Sequence, residues 1–208
     1  MLYKETVDNS TLELIKKLQT KEYLQNFYLV GGTALSLQLG HRKSIDIDLF
    51  SNFNFDTQQL LEQISYEFQF KLFFSTANTL KGSINNIQID ILAHRYSYVG
   101  EPLIADSIFM LSLKDISAMK LNAISTNGQR VKDFIDIYYL LQKYKLKDLL
   151  EFYKLKYNQE NEINVLKSLA YFDDVDLSDW PLMLKEPDLK WVTIKKKIIK
   201  EIEKYLNS

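Results

Sequence analysis

Three short stretches carry residues whose types and spacing suit chemistry on phosphates. Residues 46–48 read Asp-Ile-Asp within SIDIDLF, residues 31–33 read Gly-Gly-Thr, and Asp90 stands alone in NIQIDIL. On an extended strand Asp46 and Asp48 leave the same face with Cα atoms about 6.6 Å apart. Such a pair converges readily on one cation. Carboxylate oxygens suit magnesium, and two-metal sites, whose ions lie roughly 3.5–4 Å apart, draw a further carboxylate from a neighbouring strand. Asp90 has the right parity, because Ile87, Ile89 and Ile91 share one face and Gln88 and Asp90 the other, as Ile45, Ile47 and Leu49 oppose Asp46 and Asp48. A DxD standing alone reads more readily as the solvent face of a half-buried strand.

The glycine pair adds a second element. Gly31, Gly32 and Thr33 fall between a short apolar segment and a helix start, where backbone N–H groups and the positive helix end favour anions. Thr33 adds a hydroxyl, although it also suits a simple cap. Together with the aspartates thirteen residues on, the turn forms a phosphate cradle ahead of a metal clamp, which is what nucleotidyl transfer requires. The spacing differs from that of a Walker loop, whose Lys-Ser/Thr lies within the glycine turn.

The elements that must hold these residues are legible from periodicity. TLELIKKLQTKEYLQ predicts an amphipathic helix capped by Ser10 or Thr11, FYLVG a strand, GTALSLQLG a short helix ended by Gly40, and residues 45–49 a strand. Residues 57–68 read as a helix. QFKLFFST, TLKGSI and NIQIDIL read as strands, the last two joined tightly at Asn85-Asn86. The sheet is therefore mixed or mostly antiparallel. From about residue 112 the pattern turns helical, and it closes with WVTIKKKIIKEIEKYL after a segment broken by Pro181 and Pro187. The fold class expected is α+β.

Composition narrows the chemistry further. In 208 residues, 46% hydrophobic and with a net charge of −1, there is no cysteine and only His41 and His94, so a metal must rest on oxygen. The charge provides no global attraction to nucleic acid. No apolar run reaches about 18 residues, and the start MLYKETVDNS lacks a signal peptide's apolar core. A cytoplasmic protein with no membrane partner is expected.

Several other residues raise questions. Arg42, Lys43 and Ser44 lie between cradle and clamp and suit phosphate or base, whereas His41 reads as a surface residue. Lys120 falls on the apolar stripe of Leu113, Ile116 and Ile124, so it either snorkels to solvent or projects toward a ligand. Asp133 and Asp136 share a helix face with no well-oriented local partner. The run DDVDLSD and the five lysines between 190 and 200 read as solvated surface, and Tyr138 and Tyr139 as core.

The ordered set GGTALSLQLGHRKSIDIDLF, a strand aspartate, DISAMKLNAI and KDFIDIYYLL resembles the AbiEii/AbiGii toxin family of nucleotidyltransferases, over about residues 28–145. LAYFDDVDLSDWPLML is similar to shorter members. The resemblance implies a nucleotidyltransferase-fold lobe of the polymerase-beta type with a mixed sheet, residues 1–108, and a helical lobe, residues 109–208, closing a cleft. It implies Mg²⁺ or Mn²⁺ on Asp46, Asp48 and Asp90, and a nucleoside triphosphate held by Gly31, Gly32 and Thr33 and met by Lys120; Arg42 and Ser44, by their place between cradle and clamp, and Asp136, as the neighbour of Asp133, complete the expected nucleotide-binding set. Lys120 and Asp133 match the family's later motifs and join the three aspartates as catalytic residues. A tRNA or other RNA acceptor and a cognate antitoxin are the implied partners, in a toxin-antitoxin or phage-defence setting. The rival from another class is an NTP-binding or protein-interaction module of the same fold without turnover. A DxD glycosyltransferase is disfavoured because only 45 residues precede Asp46, and an aspartyl phosphatase because Phe50 stands where Thr or Val belongs.

Overall fold

The computed structural model describes residues 1–207. Its chain divides into two compact units, the first comprising Met1–Gly40, Ser44–Ser97 and Glu101–Leu111, the second His41–Lys43, Tyr98–Gly100 and Ser112–Ser208. The class is α+β: a mixed seven-stranded sheet with eight α-helices among the described residues.

The first unit holds α1 (Asn9–Gln19), α2 (Gly31–Leu39), α3 (Thr57–Glu67) and every strand of the sheet. The strands are β1 (Tyr28–Leu29), β2 (Ile47–Ser51), β3 (Lys71–Thr76), β4 (Thr79–Ile84), β5 (Ile87–Ala93), β6 (Leu103–Ala105) and β7 (Ile108–Met110), in the order β3-β4-β5-β2-β1-β7-β6. β2 and β5 run parallel, while β3, β4 and β5 form an antiparallel meander. Asn85 and Asn86 both take positive φ in the two-residue turn between β4 and β5, the geometry that a tight hairpin demands of its central residues. The alternation in β2 and β5 sends Ile47, Leu49, Ile89 and Ile91 into the core, all fully buried. Each contributes about 1.5–3 kcal/mol relative to exposure. Leu60 and Ile64 of α3 are buried too, and that helix packs on β3 and β4.

Three details differ from the periodicity. α1 is capped at Asp8, where the backbone is still extended, so Ser10 and Thr11 lie inside the helix. Ile45 is 61% exposed, because the strand and its alternation begin only at Ile47. The hairpin β6–β7 has no counterpart in the sequence reading. Its turn uses Asp106 and Ser107, both at positive φ without a glycine.

The second unit is built from α4 (Leu113–Thr126), α5 (Val131–Lys143), α6 (Leu146–Tyr157), α7 (Ile163–Ala170) and α8 (Trp191–Leu206). Ser112 caps α4 by accepting from the Asp115 backbone N–H at 3.2 Å, and α6 ends at Asn158 in the left-handed region. From Asp133 to Leu141 every residue of α5 is buried, the signature of a helix enclosed on all sides. Phe134 on α5 meets Phe172 and Trp191 with ring centres 5.6 and 5.7 Å away. Lys156 and Asp115 form a fully buried ion pair at 2.8 Å. The same carboxylate accepts from the backbone N–H groups of Val99 and Gly100, which fastens that segment to the second unit. Among the described residues no helix is long and apolar enough to cross a membrane.

Candidate active site

In the first unit the sequence places Gly31 where only glycine fits. Its φ is +67°, and a Cβ added there would lie 2.0 Å from Oδ2 of Asp48. The Asp48 carboxylate thus lies against the first residue of α2. Val30, the N-cap, supplies no side-chain hydrogen bond to the helix start. Thr33 is buried, and its hydroxyl donates to the Asp46 carbonyl while sharing a 2.9 Å hydrogen bond with the Ser44 hydroxyl. Both hydroxyls are therefore used to hold the segment before β2 against α2, where the sequence had suggested phosphate contacts.

Asp48 and Asp90 are register partners on the parallel strands β2 and β5, so their side chains stand on one face about 4.8 Å apart along the sheet. Asp46 lies just before β2 and is half-buried. Across β4 and β5, Lys81 faces Asp90 and pairs with it. Lys81 was missed in the sequence. Counting back from the two-residue turn at Asn85-Asn86 finds it, because that turn sets residue 81 opposite residue 90. Among the described residues no three His, Asp or Glu side chains are gathered tightly enough to hold a metal in this arrangement. The donors nevertheless suit a hard cation in kind: hard carboxylate oxygens from two adjacent strands, beside a glycine whose Cβ would fill the space.

The second unit gathers a buried ionic quartet with a histidine. Asp136 accepts from Arg42 Nε at 2.7 Å and Nη2 at 2.9 Å, from Lys120 Nζ at 2.7 Å, and lies 2.8 Å from His41 Nε2. Lys120 also bonds Asp133 Oδ1 at 2.6 Å. Two cations thus balance two carboxylates out of water, the condition under which buried charge is tolerated. Burial pushes the Asp136 carboxyl up, but Arg42 and Lys120 outweigh it and hold the group well below the usual carboxylate range. Burial likewise opposes the charge on Lys120, and Asp133 and Asp136 more than restore it. For His41 burial dominates and lowers the pKa despite the hydrogen bond to Asp136. The neutral ring then donates from Nε2 to Asp136.

This arrangement revises several expectations. His41 is fully buried, not a surface residue. Its backbone is held too, since Leu184 N–H donates to the His41 carbonyl and Arg42 bridges Met183. Arg42 gives its guanidinium to Asp136 and the Lys43 carbonyl, and both oxygens of Asp136 accept from Arg42, with Lys120 on one of them as well. Lys120 is buried on its apolar stripe because two carboxylates meet it; at 9% side-chain exposure it is the least buried member of the quartet. Asp133 keeps one oxygen, Oδ2, buried without a hydrogen-bond partner.

Comparison with known proteins agrees with the fold and the motifs. The family described as "Nucleotidyl transferase AbiEii toxin, Type IV TA system" matches residues 13–96 and 66–206. A protein of Aquifex aeolicus (strain VF5), described as "Uncharacterized protein aq_aa25", is 33% identical over 168 residues, covering 78% of this chain and 81% of its own length. Two solved structures share the fold. MenT4, nucleotidyltransferase toxin Rv2826c from Mycobacterium tuberculosis H37Rv, superposes with a TM-score of 0.63 at 13% identity, covering 92% of this chain and 81% of its own. JHP933 from Helicobacter pylori gives 0.54 at 16% identity, over 97% and 95%.

Proposed function

Because the chain belongs to the AbiEii family of nucleotidyltransferase toxins, we propose that it moves a nucleoside monophosphate from an NTP to a hydroxyl of an RNA acceptor, a tRNA 3′ end being the first candidate. One observation carries the assignment of chemistry to the sheet: Asp48 is in register with Asp90 and packed against Gly31 at the start of α2. In that reading the turn at Gly31 and Gly32 receives phosphate through backbone N–H groups. Asp46, Asp48 and Asp90 would hold a divalent cation, Mg²⁺ or Mn²⁺, whose charge when bound offsets that of the triphosphate.

The acceptor oxygen attacks the α-phosphorus, and a new O–P bond forms as the bond to the bridging β-phosphate oxygen breaks. Pyrophosphate leaves with that electron pair, and the hydroxyl proton passes to Asp90. Thr33 and Ser44 act by holding the backbone of Asp46. In the second unit Lys120, the least buried member of its quartet, is kept charged by its pairing with Asp133. Arg42, His41 and Asp136 keep that pair in place. The family's description as a toxin supports a cognate antitoxin as partner and a cytoplasmic setting.

The test incubates the protein with Mg²⁺, each NTP labelled at the α-phosphate in turn, and total RNA. Label is expected in RNA with the wild type and not with Asp48→Asn. NTP bound without any label moved would make the protein a binding module.

A further inference from the structure

The row of side chains that carries Asp48 and Asp90 does not stop at Lys81. β3 is the edge strand of the sheet, and its Phe74 is the register partner of Lys81. Phe74, Lys81, Asp90 and Asp48 therefore stand on one face across four adjacent strands. At the usual strand spacing Phe74 lies about 10 Å from Asp90. The register between β3 and β4 shifts at Leu72/Phe74, inserting Phe73 as a bulge. Phe73 and Phe74 are 55% and 53% exposed. Beside them the Lys71 ammonium sits 5.8 Å from the Phe73 ring centre.

Two adjacent exposed phenylalanines on a sheet edge are an aggregation hazard that proteins ordinarily suppress. Their retention next to lysines and in line with the carboxylates calls for a ligand with flat apolar faces and negative charge. Single-stranded nucleic acid has that chemistry: bases stack on aromatic rings while lysines meet the backbone. We propose that the face of β3 and β4 made by Lys71, Phe73, Phe74 and Lys81 is the seat of a single-stranded RNA acceptor, its 3′ end directed along the row toward Asp90. This rests on the nucleotidyl-transfer reading above and adds the route by which the acceptor arrives. Phe74 takes a base near the 3′ end, and Lys81, the partner of Asp90, meets a phosphate between the two.

The experiment uses a 5′-fluorescein-labelled single-stranded RNA of ten nucleotides with a free 3′ hydroxyl, followed by anisotropy with the intact protein. Phe74→Ala is expected to weaken binding about 5- to 150-fold, the range for losing one base-stacking ring, and Phe74→Trp to restore it. Lys71→Ala is expected to lower the slope of log affinity against log salt by about 0.7, one phosphate contact on a single strand. An RNA duplex of the same length should compete poorly. Unchanged affinity in Phe74→Ala overturns the proposal, as does equal competition by the duplex. So does a wild-type dimer in sedimentation that Phe74→Ala dissolves while RNA affinity stays the same, which would make the edge a protein interface. If the RNA binds and Phe74→Ala weakens it but no labelled NTP is transferred, this surface stands and the transfer reading fails. If label moves to a protein or small molecule while the RNA does not bind, the transfer reading stands and this surface fails.

Discussion

Substituting Gly31 by alanine should damage the site and the stability separately, and a second glycine on the same helix separates the two effects. Alanine at φ +67° adopts the left-handed conformation, which costs an L-residue about 1–2 kcal/mol. For a chain of this size that lowers Tm by about 2–8 °C. The new Cβ would lie 2.0 Å from Asp48 Oδ2, where ordinary contact begins at 3.4 Å, so carboxylate and turn must part by about 1.4 Å. A displacement near 1 Å at reacting groups costs about 10²-fold in rate. Gly40, which ends the same helix, has φ +72° and would meet the Tyr3 ring at 2.5 Å. Gly40→Ala should therefore lose similar stability and keep its transfer rate. The assay is single-turnover transfer of α-labelled NTP, with folded fraction measured by thermal denaturation. If Gly31→Ala transfers as fast per folded molecule as Gly40→Ala, the placement of Asp48 against the turn is not what the chemistry requires.

Stability should fall with acid in two stages. His41 has a folded pKa below its ordinary 6.5, so the unfolded chain takes the proton first; its contribution is complete above about pH 6.5 and lost as pH falls toward the folded value. Asp136, also depressed, adds a loss below about pH 4 by the same sign. Urea denaturation from pH 7.5 to 5 should show the first slope, and His41→Gln should remove it. Asp136→Asn should cost about 3–5 kcal/mol, because it leaves Arg42 and Lys120 buried without their shared partner; a loss near zero in urea would contradict that. Asp115→Ala should cost a similar amount by stranding the Lys156 ammonium, and replacing both residues by apolar ones should recover much of it in the same assay.

Local pattern made much of the carboxylate-bearing face legible. The period of two in IDIDLF and NIQIDIL gave Asp48 and Asp90 the parity that the parallel register of their strands puts on one face, whereas Lys81, set opposite Asp90 by the Asn85-Asn86 turn, went unread. What could not be read was set by distant partners. His41 sits in a polar stretch and looks exposed, yet it is buried by Asp136, 95 residues away, and by the strand-like contact with residues 183 and 184. Asp133 and Asp136 had no local purpose because their partners come from α4 and from residues 41–42. The hairpin at 103–110 escaped notice since each strand has three residues and its turn carries no glycine. For β3 the strand was legible but its exposure was not, because only the order of the sheet reveals an edge.

The most direct measurement compares the label transferred with the leaving group released. The protein is incubated with Mg²⁺, an NTP labelled at the α-phosphate and RNA, and pyrophosphate and orthophosphate are followed alongside the label in RNA. The carboxylate row predicts one pyrophosphate released per nucleotide transferred, with both falling together by about 10²-fold or more in Asp48→Asn. Orthophosphate in place of pyrophosphate, or transfer that survives Asp48→Asn, would contradict it.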